Sequence, residues 1–379
     1  MIIQSKRIYI ASTLMPAQLE VKDGKIIEIY PYGTKPVNLD YSDKRIVPGF
    51  YDIHTHGYND YDATEGGKQG LINWMKYLPS EGVCGFCPTT ITQSQEVLTS
   101  ALKEIAEVEK LRPEGARILG IHFEGPYLDK TYKGAHMQEY IVNSNVEQFK
   151  AYQQAADGLI KIITMAVEHD KDLALVKYCA NNGVNVSIGH SNATYQQAMM
   201  AIANGAKGFT HTFNAMRPYG HRENGVVGAA LRSHDTYAEI ICDGNHVNTV
   251  AINSFFKEKQ NHAIIITDSL ICKGKPIGSK FMSGGLQVEI YPDGSAHVTT
   301  GEKQLAGSTA KINESIKVAV ENALVPFELA IDAASINPCT YLGIDDHKGK
   351  IKAGYDADLV VLNDDYSVRQ TYCEGVPQL

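Results

Sequence analysis

The middle of the chain alternates between short apolar segments and longer amphipathic ones. The apolar segments have the length of strands and number eight: RIVPGFYDIHTH, GVCGFCPTT, ARILGIHFEGP, LIKIITMAVEH, VNVSIGHS, KGFTHTF, AEIICDG and AIIITDS. The segments between them, such as QEVLTSALKEIAEVEKL, have the apolar spacing of amphipathic helices. Strands that alternate with helices predict a parallel sheet, and eight such units over roughly 290 residues are close to what a (β/α)8 TIM barrel requires. A doubly wound sheet is the alternative, but no G-x-G-x-x-G follows the first strand.

The two ends of the chain have a different pattern. MIIQSKRIYI and QLEVKDGKIIEIY alternate as short strands do, with a hairpin signal at Asp23-Gly24, and GKIKAGYDADLVVLN repeats this style near the other end. We therefore expect residues 1–47 and 348–379 to form a small β-sandwich domain and residues 48–347 to form the barrel. Residues 272–301, which follow the last barrel strand, are expected to form a β-hairpin insertion that turns at YPDGSAHV.

Composition and charge exclude several classes of protein. The chain has 379 residues and a formal net charge of -8, which argues against a nucleic-acid groove because phosphate backbones demand clustered Lys and Arg. Seven cysteines, an odd number spread over a long chain, do not form a disulfide framework, and Cys84 and Cys87 are interpreted as ordinary strand cysteines. Neither a signal peptide nor an apolar stretch of roughly 18 residues is present, so we expect a cytoplasmic protein.

Residues that can bind metals stand at the carboxyl ends of the predicted strands, the end at which barrel active sites are built. They are His54, His56, Glu124, His190, His211 and Asp268. His54 and His56 are two positions apart on a strand, so both imidazoles can face one ion. Imidazoles combined with a carboxylate suit zinc or iron(II) better than magnesium or calcium.

Two of the residues near these strand ends, His122 and Asp268, have two interpretations each, and Glu124 and Tyr127 have one. A carboxylate buried at a barrel mouth requires a cation, and no Arg or Lys stands next to Glu124, which favours a metal there. His122 is either a packed barrel histidine or a residue behind a metal ligand. Asp268 either caps a following helix or acts as a general base. Tyr127 is a candidate for stacking against a sugar ring.

The motifs also carry a resemblance to a known family. HTHG after the first strand and GKIKAGYDADLVVLN near the C-terminus resemble the amidohydrolase superfamily. HFEGPYL, KGAH, GHSNAT, THTFNAM, DGNHV, TDS and LAGS, in this order over nearly the full chain, resemble the N-acetylglucosamine-6-phosphate deacetylase family. The resemblance implies deacetylation of N-acetyl-D-glucosamine 6-phosphate to D-glucosamine 6-phosphate and acetate in amino-sugar catabolism, with one or two divalent ions per subunit, zinc or iron.

The resemblance further implies a role for each matching position. Glu124, His190 and His211 would hold the invariable ion, the His54 and His56 pair would add a second, and Asp268 would be the catalytic acid and base. The implied substrate contacts are Ala135, His136, Asn214, Ala215, Arg222, His246, Leu305, Ala306 and Gly307. The family's arginine can reach the neighbouring active site, so the resemblance also implies a homodimer in which Arg222 binds the substrate phosphate of the other subunit.

The mechanism expected from these positions is attack of water on the acetyl carbonyl. Asp268 would take the proton of that water and return it to the departing amine, while the metal and His246 stabilise the oxyanion. The division of the remaining contacts between His136 and His246 is left open. One alternative is an amidohydrolase with a carboxylated lysine at the end of its fourth strand, but ITMAVEH has none there. A barrel that serves as a non-catalytic scaffold is a further alternative, although such proteins typically lose metal ligands.

Overall fold

Eight parallel strands form a closed barrel in the computed structural model, which describes residues 1–299 and 304–379. The strands are β1 (Phe50–Thr55), β2 (Val83–Thr90), β3 (Ile121–Glu124), β4 (Ile160–Met165), β5 (Asn185–Ile188), β6 (Gly208–Phe209), β7 (Tyr237–Ile241) and β8 (Ala263–Ile266). Each strand pairs in parallel with the next. Backbone hydrogen bonds from Asp268 to His54 (2.9 Å) and from His56 to Ser269 (2.8 Å) close the ring between β8 and β1. The TIM-barrel prediction is confirmed.

Helices follow the strands as the amphipathic segments predict. They are α1 (Gly67–Tyr77), α2 (Gln95–Leu111), α3 (Val146–Ala155), α4 (Ala174–Asn181), α5 (Tyr195–Ala203), α6 (Gly225–Arg232), α7 (Thr249–Lys259), α8 (Ile312–Lys317), α9 (Phe327–Ala334) and α10 (Ile336–Leu342). Shorter helical turns lie at Leu78–Glu81, Gln138–Tyr140, Val167–His169, Lys171–Leu173, Gln260–His262 and Val318–Asn322. The start of α5 is a capping box, in which Thr194 accepts from the backbone of Gln197 and the Gln197 side chain accepts from Thr194.

Alternate residues of the strands face two different cores. In β8, Ala263 and Ile265 join the large cluster between barrel and helices, whereas Ile264 and Ile266 join a smaller cluster with residues of other barrel strands. Tyr341 of α10 packs into this smaller cluster. The alternation follows from the two-residue period of a strand, and it fills the barrel with side chains.

Strands from both ends of the chain form one further sheet. They are Ile2–Ile10, Thr13–Lys22, Lys25–Pro31, Leu39–Asp40, Arg45–Pro48, Leu359–Leu362, Val368–Cys373 and Val376–Pro377. Thr13–Lys22 and Lys25–Pro31 are antiparallel on either side of Asp23-Gly24, as that pair predicts. The side chains between these strands form a hydrophobic cluster of their own. The small sandwich built from both termini is therefore confirmed.

The first predicted strand divides at Gly49, which corrects its assignment to the barrel as one unit. Arg45–Pro48 pairs antiparallel with Leu359–Leu362 in the terminal sheet, and only Phe50–Thr55 belongs to the barrel. A Cβ at Gly49 would lie 2.6 Å from the Cys84 sulfur, so a residue without a side chain lets the chain pass between the two sheets. The division into residues 1–47 with 348–379 and 48–347 stays a prediction.

The insertion after β8 is a three-stranded antiparallel sheet of Lys280–Ser283, Leu286–Ile290 and Ala296–Val298. The last two strands are the predicted hairpin, and the first is an addition to it. Residues 300 and 301, the end of the predicted insertion, lie outside the described residues. Three short strands, Gly57–Tyr58, Tyr61–Asp62 and Arg117–Ile118, complete the elements.

Two further observations concern the cysteines and the helices. All seven cysteines are buried and free of disulfides. Within residues 1–299 and 304–379, no helix combines the length and the apolar character that a membrane crossing needs. The cellular location stays a prediction.

Candidate active site

The six residues predicted to bind metal or to catalyse lie together at the carboxyl end of the barrel. His54 lies in β1 and His56 just beyond it, and Glu124 ends β3. His190, His211 and Asp268 each lie two residues beyond a strand, after β5, β6 and β8. The histidine and glutamate side chains are buried, and the Asp268 side chain is 13% exposed. The strand-end pattern thus marks one site rather than scattered residues.

Three of these positions have a left-handed backbone. The φ angle is 47° at His190, 29° at His211 and 50° at Asp268. This conformation is unfavourable for residues other than glycine, and it persists only where the surrounding structure fixes it. In each case the strand has just ended, so the strain lies where the chain turns from the barrel wall into its loop.

Four imidazoles are oriented by acceptors behind them. The contacts from Nδ1 are His54 to Glu239 Oε2 at 2.8 Å, His56 to the Thr89 carbonyl at 3.1 Å, His190 to the Tyr132 carbonyl at 2.8 Å and His211 to the Asn214 carbonyl at 3.2 Å. Carbonyls and carboxylates only accept hydrogen bonds, so each Nδ1 carries a proton and each neutral ring has its lone pair on Nε2. This is the arrangement of metal-binding histidines.

The Nε2 atoms converge on Glu124 with the spacing of ligands around an ion. The distances are 3.1 Å between His190 and His211, 3.3 Å between His54 and His56, 3.3 Å from both His190 and His211 to Glu124 Oε1, and 3.2 Å from His56 to Glu124 Oε2. Tetrahedral zinc with Zn–N bonds of 2.0–2.1 Å places its ligand atoms roughly 3.3 Å apart. Glu124 Oε1 is buried without a hydrogen-bond partner among the described residues. The residues therefore fit one or two divalent ions, with Glu124 between the two histidine pairs.

Asp268 stands on the cavity side of this cluster. Its Oδ1 lies 3.0 Å from His56 Nε2 and 3.5 Å from His54 Nε2. Burial alone would raise the pKa of Asp268, but the contact with His56 and the neighbouring imidazoles hold that pKa below its usual range. The next helix in the described residues begins only at Ile312, so the helix-cap interpretation is wrong. Asp268 is a charged carboxylate that faces the cavity.

A cavity of about 320 Å³ opens over the cluster, a volume suited to a small ligand. Most of the predicted substrate contacts line it: Ala135, His136, Asn214, Ala215, His246, Leu305 and Gly307. Ala306 is buried beside them, in the hydrophobic cluster of the insertion. Arg222 is exposed and does not line the cavity of its own chain. Among the described residues that line the cavity, none is a lysine or an arginine.

His136 is a neutral hydrogen-bond donor in this cavity. Its Nδ1 lies 3.2 Å from the backbone nitrogen of Thr92 and 2.8 Å from the Thr92 hydroxyl. Because a backbone N–H can only donate, Nδ1 accepts, and the proton of the ring is on Nε2. Burial lowers the pKa of His136 to about 4, so the ring is uncharged at neutral pH. A protonated Nε2 cannot bind a metal, which separates His136 from the four histidines whose Nε2 atoms face Glu124.

His246 has the opposite character. Its Nδ1 lies 2.6 Å from Asp243 Oδ2, and the other oxygen of Asp243 accepts from the backbone of Asn245 and His246. Burial alone would lower the pKa of His246, but the hydrogen bond and the charge of Asp243 outweigh it and raise that pKa. The cavity thus contains an imidazole whose cationic form is stabilised by Asp243.

Glu239 is the main residue that the sequence interpretation missed. It lies in the middle of β7, 2% exposed, behind His54. A search of strand ends does not find it, although a lone carboxylate within the apolar strand YAEII was a signal. His122 is packed in the barrel, where Nδ1 donates to the Ile53 carbonyl (2.9 Å) and Nε2 accepts from Thr164 (2.7 Å). Its ring centroid also lies 4.4 Å from that of His54, so its role behind a metal ligand stays a prediction.

Tyr127 does not reach the cavity, which corrects its interpretation as a stacking residue. Its side chain is 1% exposed, and its hydroxyl lies 3.0 Å from Gln148 Oε1. The ring packs in the main hydrophobic cluster between barrel and helices. An apolar ring next to the motif HFEGP is thus used for packing rather than for a ligand.

Known proteins resemble this chain over nearly its whole length. The model of the amidohydrolase family matches residues 45–377. The N-acetylglucosamine-6-phosphate deacetylase of Bacillus subtilis (strain 168) is 36% identical, with 94% of this chain and 91% of that protein covered. The N-acetylgalactosamine-6-phosphate deacetylase of Escherichia coli O157:H7 is 31% identical, with 94% and 93% covered.

Solved structures show the same relationship. A mutant N-acetyl-D-glucosamine-6-phosphate deacetylase from Mycobacterium smegmatis, in complex with N-acetyl-D-glucosamine-6-phosphate, is similar with a TM-score of 0.94 and 27% identity, covering 100% of this chain and 99% of that one. The N-acetylglucosamine-6-phosphate deacetylase from Pasteurella multocida gives a TM-score of 0.92 and 30% identity, with 100% and 99% covered.

Proposed function

This chain belongs to the amidohydrolase family, and on that premise we propose that it deacetylates N-acetyl-D-glucosamine 6-phosphate in amino-sugar catabolism. The products are D-glucosamine 6-phosphate and acetate. The observation that carries the proposal is the convergence of four imidazole Nε2 atoms on Glu124, with Asp268 beside His56, beneath a cavity. Deacetylases of phosphorylated amino sugars among the relatives, which match this chain nearly end to end, support the substrate class.

The ligand sets divide into two around Glu124. Glu124, His190 and His211 would hold one divalent ion, and Glu124 with His54 and His56 would hold a second. Zinc and iron(II) are the ions that suit imidazoles with a carboxylate. When bound, such an ion polarises a carbonyl and lowers the pKa of water to about 7.

The chemical steps fall to two side chains. Asp268 takes the proton of the attacking water and later gives it to the amine nitrogen that leaves the acetyl carbon. Nε2–H of His136 donates to the acetyl oxygen as that oxygen gains negative charge. The sequence hypothesis gave this second role to His246. The fixed position of the proton on His136 favours His136 instead.

The 6-phosphate is bound by positive charge. His246, whose pKa Asp243 raises, is the cavity side chain to which we give this role in one chain. A phosphate dianion needs more than one donor, and Arg222 is exposed at the surface, where its guanidinium can supply a bidentate contact. We infer that Arg222 of a second copy completes the phosphate site in a homodimer.

The test is a product assay on purified protein loaded with zinc or with iron(II). N-acetyl-D-glucosamine 6-phosphate should release equal amounts of acetate and free amine. The unphosphorylated sugar should react far more slowly, because it lacks the group that His246 and Arg222 bind. The rate with the 4-epimer, N-acetyl-D-galactosamine 6-phosphate, measures how specific the enzyme is for the configuration of the sugar. Release of ammonia, or no acetate from metal-loaded protein, would contradict the proposal.

The alternatives are less well supported. An enzyme with a carboxylated lysine would need that lysine at the end of β4, where Thr164 and Met165 stand. A non-catalytic scaffold does not need four histidines with aligned Nε2 atoms. Metal analysis of the purified protein separates the scaffold from the enzyme, since the scaffold would contain no ion in stoichiometric amount.

A further inference from the structure

Glu239 gives one of the four ligand histidines a partner that the other three lack. Its Oε2 lies 2.8 Å from His54 Nδ1 and 3.3 Å from the backbone nitrogen of His211. The Nδ1 atoms of His56, His190 and His211 face neutral backbone carbonyls instead. A carboxylate behind a metal-binding histidine fixes the tautomer and orientation of the ring and makes its free nitrogen a stronger ligand.

We propose that Glu239 is the positioning residue through which His54 holds a second divalent ion beside the ion at Glu124, His190 and His211. The proposal rests on the metal-dependent function above and adds the residue that sets the number of ions. His54 Nε2 lies 3.3 Å from His56 Nε2 and 3.5 Å from Glu124 Oε1. Its Nε2 thus lies with the second ligand set, whereas the contact of Glu239 with the first set is to the backbone nitrogen of His211 and not to its imidazole.

Two substitutions separate the orientation of His54 from the charge of Glu239. Glu239→Gln keeps an acceptor for His54 Nδ1–H and removes the charge, and Glu239→Leu removes both. Zn²⁺ alone is titrated into chelator-treated protein, and ions per chain and their affinities are measured by elemental analysis and chelator competition. The wild type should bind two ions. Both variants should keep the tighter ion, and the second should bind about 10–100-fold more weakly, with the larger loss in Glu239→Leu.

Asp243→Asn is the matched control, because it removes the charge from another carboxylate behind an imidazole. His246 is not among the metal ligands, so this variant should bind both ions as the wild type does. A double-mutant cycle combines His54→Asn with Glu239→Gln. The double variant should lose no more affinity for the second ion than His54→Asn alone. Additive losses would mean that Glu239 does not act through His54.

The proposal is overturned if the wild type binds one ion, if losses are additive, or if both Glu239 variants bind two ions with unchanged affinity. Circular dichroism of the zinc-loaded variants checks the fold, and the isosteric Glu239→Gln decides the matter if Glu239→Leu does not fold. Ion binding is measured without substrate. A chain that binds two ions in this manner but releases no acetate contradicts the proposed function and leaves this inference intact.

Discussion

The backbone N–H of Thr92 donates to Nδ1 of His136 over 3.2 Å, and this contact determines which nitrogen of His136 carries the ring proton. With Nδ1 as acceptor, Nε2–H is the donor. His136→Ala should lower kcat by about 10²–10³-fold, the loss typical of one oxyanion donor. Metal content should not change. His136→Gln, whose amide can place an N–H near the position of Nε2, should recover part of the rate. Loss of an ion in His136→Ala would instead make His136 a ligand.

Asp243 should tune phosphate binding through the charge of His246. A group with a raised pKa keeps its proton below that pKa and loses it as the pH rises through it, so KM for the phosphorylated sugar should increase across that range. Burial opposes the protonated form and the charges of Asp243 and Asp268 favour it. In Asp243→Asn the pKa falls, and the increase in KM should begin at lower pH. The sugar without phosphate should show no such shift, and an equal shift for both substrates would exclude the assignment.

Asp268→Asn should separate proton transfer from metal binding. The ligands at Glu124, His190 and His211 remain, so the protein should keep at least the tighter ion. Loss of a general acid and base should lower kcat by about 10²–10⁴-fold. Asn tolerates the left-handed φ of 50° at this position, so the backbone conformation should not change. A variant that retains metal and works within about tenfold of the wild type would show that another group transfers the proton.

Mixing two inactive variants tests whether Arg222 serves a neighbouring subunit. Arg222→Ala lacks the phosphate contact, and Asp268→Asn lacks the base. In a two-fold symmetric dimer that contains one chain of each kind, one of the two sites has both residues intact. Random exchange of equal amounts should restore about a quarter of the wild-type activity. Without restoration, after exchange has been verified with tagged chains, Arg222 does not act across an interface.

The parts of the site that could be predicted from sequence are those that a strand period determines. His54 and His56 are two residues apart, and parallel strands bring their carboxyl ends to one side of the barrel, which locates Glu124 and the later ligands without coordinates. Glu239 could not be found in this way. It lies in the middle of its strand, and its proximity to His54 comes from closure of the barrel, which links residues 185 positions apart.

The protonation of the two cavity histidines, His136 and His246, could not be predicted from the sequence either. Which nitrogen of His136 carries the proton depends on a backbone N–H 44 residues away, and no residue pattern encodes that contact. Asp243 stands only three residues before His246 in DGNHV, so its pairing was detectable as an Asp–His spacing but was not proposed. The division of the first strand at Gly49 could not be predicted for another reason. RIVPGFYDIHTH has the pattern of a single strand, although its two halves pair in different sheets.

The left-handed backbone at His190, His211 and Asp268 limits which residues these positions accept, apart from any reaction. Gly, Asn and Asp tolerate such a φ angle, whereas β-branched side chains resist it. A mutational scan that selects for cellular abundance alone, with catalysis irrelevant to growth, should therefore still reject Val and Ile at all three. Selection for folding and selection for chemistry would then both restrict the residues found at these three positions. An unchanged residue there would therefore not be evidence of metal binding by itself.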